Sequence, residues 1–228
     1  MTRFHDRSDA GRRLAARLLS HAAMRPIVLA LPRGGIHVGY EVSRALNAPL
    51  DVLVVRKLGV PGHAELAMGA IASGGTRVLN EEILELLHIP PRIVELVATM
   101  EGREVERREQ LYRGGRPAPD LHGRAVLLVD DGLATGATMR AAIRAARRQG
   151  ASRVVVAVPV AAREACAELR AEADDLVCSA TPEPFVAVGL WYEDFSPTTD
   201  EDVRAILERA VREEQREGKA SQVSATSR

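Results

Sequence analysis

The sequence predicts an α/β fold, a mainly parallel sheet with helices on both faces, and three features predict it. Short, mostly apolar runs at Ile27–Leu31, Asp51–Val55, Ala125–Val129, Arg153–Val158 and Asp175–Cys178 read as buried strands. Helical patterns separate most of them, and such alternation implies parallel pairing with right-handed crossovers. Glycine-bearing turns, Pro32-Arg33-Gly34-Gly35 and Gly132-Leu133-Ala134-Thr135-Gly136, follow two of the strands and open helices. In a sheet of this kind ligands gather beyond the carboxyl ends of the strands.

The Ala125–Val129 strand carries the most chemistry. Asp130 and Asp131 stand at its tip, and Ala134-Thr135-Gly136-Ala137-Thr138 leads into a helix that is clear from Met139 and ends at Gly150. A helix start offers unpaired N–H groups and partial positive charge, which suit a phosphate. Gly136 allows close backbone approach, and the Thr135 and Thr138 hydroxyls add donors. Neighbouring carboxylates accept hydrogen bonds from a diol and can share a cation. A phosphate at one end and a diol nearby describe a ribose 5-phosphate. A plain helix cap beside two solvated acids explains the stretch less well, because strand, acid pair and Thr-Gly-x-Thr turn occur in register.

This stretch resembles the phosphoribosyl diphosphate (PRPP) motif of type I phosphoribosyltransferases. One position departs: Gly132 stands where members usually carry a branched apolar residue. The resemblance implies a Rossmann-like fold, with Asp130 and Asp131 on the ribose hydroxyls and Ala134 to Thr138 around the 5-phosphate. It also implies that Pro32-Arg33-Gly34-Gly35 is the pyrophosphate loop, similar to the Ser-Arg-Gly of the adenine enzymes. Arg56 and Lys57 then match an Arg-Lys pair that faces the diphosphate from the next strand end. Aligning Arg33-Gly34 with the family's basic-residue-Gly places a cis peptide bond between Leu31 and Pro32. Magnesium is the implied cofactor, held by Asp130 and Asp131 directly or through water and substrate. Arg33, Lys57, Asp130 and Asp131 become the candidate catalytic residues.

The remaining elements follow in order. Ser8 or Asp9 is expected to cap a helix that packs Leu14, Ala15, Leu18 and Leu19. Residues 60–75 carry too many glycines for a steady helix and are expected to form a mobile loop that closes over ligands, with His63 and Glu65 as candidate contacts. Arg77–Leu79 is a short strand. Asn80 caps a helix to His88, and a charged helix from about Arg92 to Tyr112 completes an insert spanning about 80–120. Its packed side is expected to be Ile93, Leu96, Val97 and Met100. The insert could also form a wall of the acceptor site or a homodimer surface.

The stretch Pro182–Phe195 concentrates aromatic and acidic groups. It reads either as a core strand or, by its resemblance to the hypoxanthine-guanine enzymes, as the place where Phe185, Val186 and Trp191 meet the acceptor. An acid there, Glu193 or Asp194, would help hold the metal, and Asp194 is the candidate. A final helix spans Asp202–Glu214. Residues 1–215 make one domain, and the polar 216–228 tail is expected to be disordered.

Composition narrows the function. With 31 basic and 31 acidic residues the formal net charge is zero, which gives no electrostatic case for nucleic acid or an anionic membrane. Aromatics at 3% do not furnish a stacking platform for bases. Cys166 and Cys178 lack metal-type spacing and read as reduced core thiols of a cytoplasmic protein. No apolar run is long enough to span a bilayer. The implied activity is transfer of 5-phosphoribosyl from PRPP to a nucleobase-like or other small nucleophile with release of diphosphate. Ala134 stands where the hypoxanthine-guanine enzymes carry an Asp that contacts the base, which disfavours a 6-oxopurine acceptor. The alternative is a regulator that binds PRPP or a nucleotide without turnover. A Rossmann-like methyltransferase fits less well, because it calls for a glycine-rich turn after the first strand and a lone acid after the second.

Overall fold

Runs of Val, Leu, Ile and Ala that are buried on both faces form the centre of the chain, as a parallel sheet covered by helices requires. The computed structural model describes residues 3–226. In chain order the elements are α1 (Arg7–Leu18), β1 (Ile27–Ala30), α2 (Gly35–Leu46), β2 (Leu50–Val52), β3 (Val55–Val60), β4 (His63–Ala72) and β5 (Thr76–Leu79). There follow α3 (Glu81–Leu86), α4 (Pro91–Arg113), β6 (Ala125–Val129), α5 (Ala137–Arg148), β7 (Arg153–Val160), α6 (Arg163–Leu169), β8 (Asp175–Ala180) and α7 (Asp200–Thr226).

The main sheet has the order β2-β1-β6-β7-β8 and is parallel throughout. Its strand residues alternate between two cores. Val28, Ala30, Leu127 and Val129 pack with Leu14, Leu18, Val38, Val42, Val203 and Leu207 from α1, α2 and α7. Ile27, Leu29, Val126 and Leu128 pack on the other face with Met139, Ile143, Cys166 and Leu169 from α5 and α6. A buried Val or Leu contributes about 1.5–3 kcal/mol, so the adjacent β1 and β6, with Val28, Leu127 and Leu128 fully buried, give rigid footing to the loops they carry. From β1 the chain crosses to β2 on one side, and from β6 it crosses to β7 on the other. The strand order therefore reverses between β1 and β6, and a crevice opens there at the carboxyl edge.

Close helix packing fixes the layer behind this crevice. A methyl group on Gly11 of α1 would lie 3.0 Å from the Val38 backbone of α2, so the two helices approach to backbone contact. The α1 cap is Asp6, whose Oδ1 accepts from Asp9 N at 2.7 Å, rather than Ser8 or Asp9. Leu19 lies outside the helix and is exposed.

Three further expectations are corrected. Asp51–Val55 is not one strand: β2 ends at Val52, and Val55 begins a separate antiparallel sheet, β3-β4-β5. Arg56 and Lys57 lie inside β3, not at a strand end of the parallel sheet. Residues 60–75 are largely strand β4 rather than a loop, with the hairpin turning at Pro61-Gly62. The ladder shifts register on both sides of Gly59, so this glycine marks an irregularity inside a strand pair. His63 is exposed at the turn, and the Glu65 side chain lies outside the described residues.

The insert is part of the body. Asn80 caps α3 through Ile83 N at 3.3 Å, as expected. On α4 the buried face is Val94, Ala98, Val105 and Tyr112, while Leu96 and Met100 are exposed. The expected stripe was offset because α4 has to cover both the antiparallel sheet and α7. Arg113 closes the helix: its Nε donates to Asp51 Oδ1 at 3.0 Å and its Nη2 to the Val52 carbonyl at 3.0 Å, which ties α4 to the edge strand β2. Helix α7 runs past Glu214 to Thr226 and takes in most of the stretch expected to be disordered. Good helix formers, Glu, Arg, Lys, Ala and Gln, outnumber Gly218 there. Among the described residues no helix is long and apolar enough to cross a membrane, and Cys166 and Cys178 are both free.

Candidate functional site

Two loops meet in the crevice because β1 and β6 are neighbours. The β1 loop reaches Gly34 and Gly35; the β6 loop begins at Asp130. A methyl group on Gly35 would lie 2.8 Å from the Val129 carbonyl and 2.9 Å from Asp130 Cα, and one on Gly34 would overlap Asp131 Oδ2. The glycine pair therefore lets the acid pair lie directly against the first loop. Gly34→Ala is expected to force the Asp131 carboxylate aside at about 1–3 kcal/mol of stability, read from thermal unfolding.

The first loop differs from expectation in its peptide geometry. The bond between Leu31 and Pro32 is not cis; the cis bonds among the described residues are Pro32–Arg33 and Glu183–Pro184. Leu31 still continues the sheet, donating its N–H to the Val129 carbonyl at 2.8 Å, so the chain turns one residue later than the alignment placed it. Arg33 is half-exposed, with Nη1 3.8 Å from Asp200 Oδ1 of α7. Asp200 also accepts from the Tyr112 hydroxyl at 2.7 Å.

In the second loop, Asp131 N–H donates to Asp130 Oδ1 at 2.8 Å. Burial, and then the charge of Asp131, raise the Asp130 pKa well above the usual carboxylate range. Asp131 has a cation: Arg7 Nε donates to its Oδ2 at 2.7 Å, with the two side chains only 11% and 15% exposed. Leu133 N–H pairs with the Val160 carbonyl at 3.0 Å and anchors the turn to β7. Ala134, Thr135, Ala137 and Thr138 are exposed around it. Gly136 opens α5 at φ 72°, a left-handed conformation in which a side chain would also press on Leu169 at 3.2 Å. No side chain caps the start of α2 or of α5 at the N-cap position. Thr135 Oγ1 stands 3.5 Å from Ala137 N. Two helix starts thus flank the acid pair, an arrangement able to take an anion at each end of a diol.

The other expected residues are less gathered. Arg56 Nε is paired with Glu101 Oε2 at 2.7 Å. With Lys57, Val97, Met100 and Arg108 it lines a 570 Å³ groove between β3 and α4. Phe185 is half-buried and packs against the core, Val186 points outward at 74% exposure, and Trp191 is partly buried. The 182–195 segment is not a core strand; its regular part is a single 3-10 turn, Val188–Trp191.

Asp194 does not join the acid pair. Its Oδ1 accepts from Ser196 N at 2.9 Å and from the Ser196 hydroxyl at 2.5 Å, a local turn that engages one carboxylate oxygen. Among the described residues no cluster of three His, Cys, Asp or Glu side chains forms a metal site. The donor set does fit a magnesium ion that keeps most of its water, since such an ion needs only one or two carboxylates plus substrate oxygens. Asp130 and Asp131 would supply these.

Sequence reasoning missed Arg7, Asp200 and Tyr192. The Tyr192 hydroxyl donates to the Asp131 carbonyl at 2.5 Å. The segment that carries it also explains the departure at Gly132: a methyl group there would lie 2.5 Å from Val188 Cγ1, so Val188 fills the space.

Comparison with known proteins agrees with this fold. A family model described as phosphoribosyl transferase domain matches residues 2–192. A Mycobacterium tuberculosis protein provisionally named a phosphoribosyl transferase is 47% identical over 213 residues, covering 93% of this chain and 48% of that protein. The chain therefore spans about half the length of this curated relative. A ribose-phosphate pyrophosphokinase of Methanopyrus kandleri is 32% identical over 171 residues, 65% of this chain and 59% of that protein. A crystal structure of a Thermus thermophilus protein matches with TM-score 0.81 at 46% identity, covering 90% of this chain and 98% of that one. Matched over most of its length and built on the parallel α/β sheet that its strand pattern predicts, the chain belongs to the phosphoribosyl transferase domain family.

Proposed function

We propose that the chain is a phosphoribosyltransferase that binds PRPP in the β1/β6 crevice and transfers its 5-phosphoribosyl group to a small nucleophile. One observation carries this reading: Gly34 and Gly35 lie directly against Asp130 and Asp131, between two helix starts with no side-chain cap. The 5-phosphate would take the α5 start with Thr135 and Thr138, and the ribose hydroxyls would take the acids. The diphosphate would take the Arg33–Gly35 loop, with Arg56 and Lys57 approaching from β3. Breaking the C1–O bond leaves positive charge on the ring and negative charge on the diphosphate. Carboxylates beneath the ring and guanidinium beside the leaving group stabilise both. Magnesium, when bound, would neutralise diphosphate charge. For this, Arg33 exchanges its loose pairing with Asp200 for the diphosphate.

Titration calorimetry with PRPP, followed by detection of diphosphate with a panel of nucleobases and small amines, tests the proposal. Binding and diphosphate release in the presence of one acceptor are expected. Binding with no release from any acceptor makes the chain a PRPP- or nucleotide-binding regulator, and absence of binding refutes the reading.

A further inference from the structure

We infer that Arg7 is a positioning residue: it holds the Asp131 carboxylate in the orientation that receives the ribose hydroxyls. The inference rests on the PRPP reading above and adds a residue outside every stretch that carries the family resemblance.

The geometry around Asp131 is over-determined. Its Oδ2 is taken by Arg7 Nε at 2.7 Å, and its carboxylate fills the space left by the missing side chain of Gly34. Its N–H is held by Asp130 Oδ1 at 2.8 Å and its carbonyl by the Tyr192 hydroxyl at 2.5 Å. With Oδ2 committed to a charge-assisted hydrogen bond, Oδ1 has one defined direction.

Arg7 is itself fixed from three sides. Its Nη1 donates to the Ser196 carbonyl at 2.8 Å, its guanidinium lies 3.8 Å from the centre of the Phe195 ring, and its backbone opens α1. A cation in the first turn of a helix opposes the helix dipole, so the position does not serve α1. Nor is Arg7 a solvated surface charge, since its side chain is 11% exposed. Among the described residues the one carboxylate it meets by hydrogen bond is that of Asp131. The 182–196 segment reinforces the arrangement. Phe4 N–H donates to the Trp191 carbonyl at 2.9 Å, Glu193 N–H to the Phe4 carbonyl at 2.8 Å, and the Phe4 and Tyr192 rings are 5.5 Å apart. The start of the chain and this late segment together bring a cation to the second acid of the motif.

The test compares three ligands on the whole chain. Arg7→Gln is expected to weaken binding of PRPP and of ribose 5-phosphate by about tenfold or more, the loss of one hydrogen bond to a charged partner. On that reading inorganic diphosphate would take the first loop and not the acids, so its affinity is expected to stay unchanged. Arg7→Lys is expected to recover part of the loss. Equal loss for all three ligands makes Arg7 a general structural tie and overturns the inference, as does unchanged PRPP affinity in Arg7→Gln. Failure of the wild-type chain to bind PRPP would sink the PRPP reading itself. In that event the crystal structure of Arg7→Gln decides: an Asp131 carboxylate that turns away from its wild-type position supports the positioning role, and one that stays overturns it.

Discussion

Asp130→Asn combined with Asp131→Asn is expected to weaken PRPP binding by about 30-fold or more while the chain stays folded. A hydrogen bond from a ribose hydroxyl contributes roughly 1.5–3 kcal/mol where the acceptor is charged and about 0.5–1.5 kcal/mol where it is neutral, so losing one of each weakens binding by about 30- to 1,500-fold. Folding is expected to persist because the amide keeps the shape of the carboxyl. At residue 130 it also removes a group that burial and the neighbouring Asp131 already disfavour as an anion. At residue 131 the amide oxygen still accepts from Arg7. Calorimetry with PRPP and thermal unfolding of the same preparation check both halves; a folded double variant with wild-type affinity removes the acids from the site.

Arg113→Met is expected to be the most damaging single change for stability. Arg113 is 7% and Asp51 9% exposed, and the guanidinium also meets Glu109 Oε1 at 2.6 Å. Removing one partner of a buried ion pair strands the other at a cost of about 3–5 kcal/mol. Burial already raises the Asp51 pKa, with Arg113 opposing it. An acid whose folded pKa lies above its unfolded value loses stability as pH rises through that pKa. Without Arg113 that penalty grows, so the defect is expected to be largest at neutral pH and to shrink in mild acid. Asp51→Asn in the same background is expected to restore part of the stability at neutral pH. Urea unfolding of wild type and the two variants at neutral and mildly acidic pH measures this, and an Arg113→Met variant as stable as wild type at neutral pH refutes it.

The parallel sheet and the acid-pair loop were readable because their signals are local. Ile27–Leu31 and Ala125–Val129 are apolar runs that end in turn residues, and Asp130 to Thr138 is continuous in the chain. The β3–β4 hairpin was not readable in the same way. Its glycines at 59, 62 and 69 look like loop punctuation, whereas they serve a register shift and a tight turn inside a strand pair. Asp194 sits in an Asp-x-Ser turn, a local signal that could have been weighed. Arg7 and Tyr192 carry no such signal. Each reaches Asp131 from a distant part of the chain, and only the folded arrangement of α1 and the 182–196 segment brings them there.

The contact between Gly132 and Val188 means that two distant segments share the volume of a single side chain. Where relatives of the motif seat a branched residue in the turn itself, this chain supplies the equivalent methyl groups from outside. The space beside the turn is thus filled by Val188, with Val160 next to it. An acceptor that entered by displacing the Val188 turn would also loosen the packing at Gly132. Substitution at 132 is likewise a change at 188, and the two positions act as one.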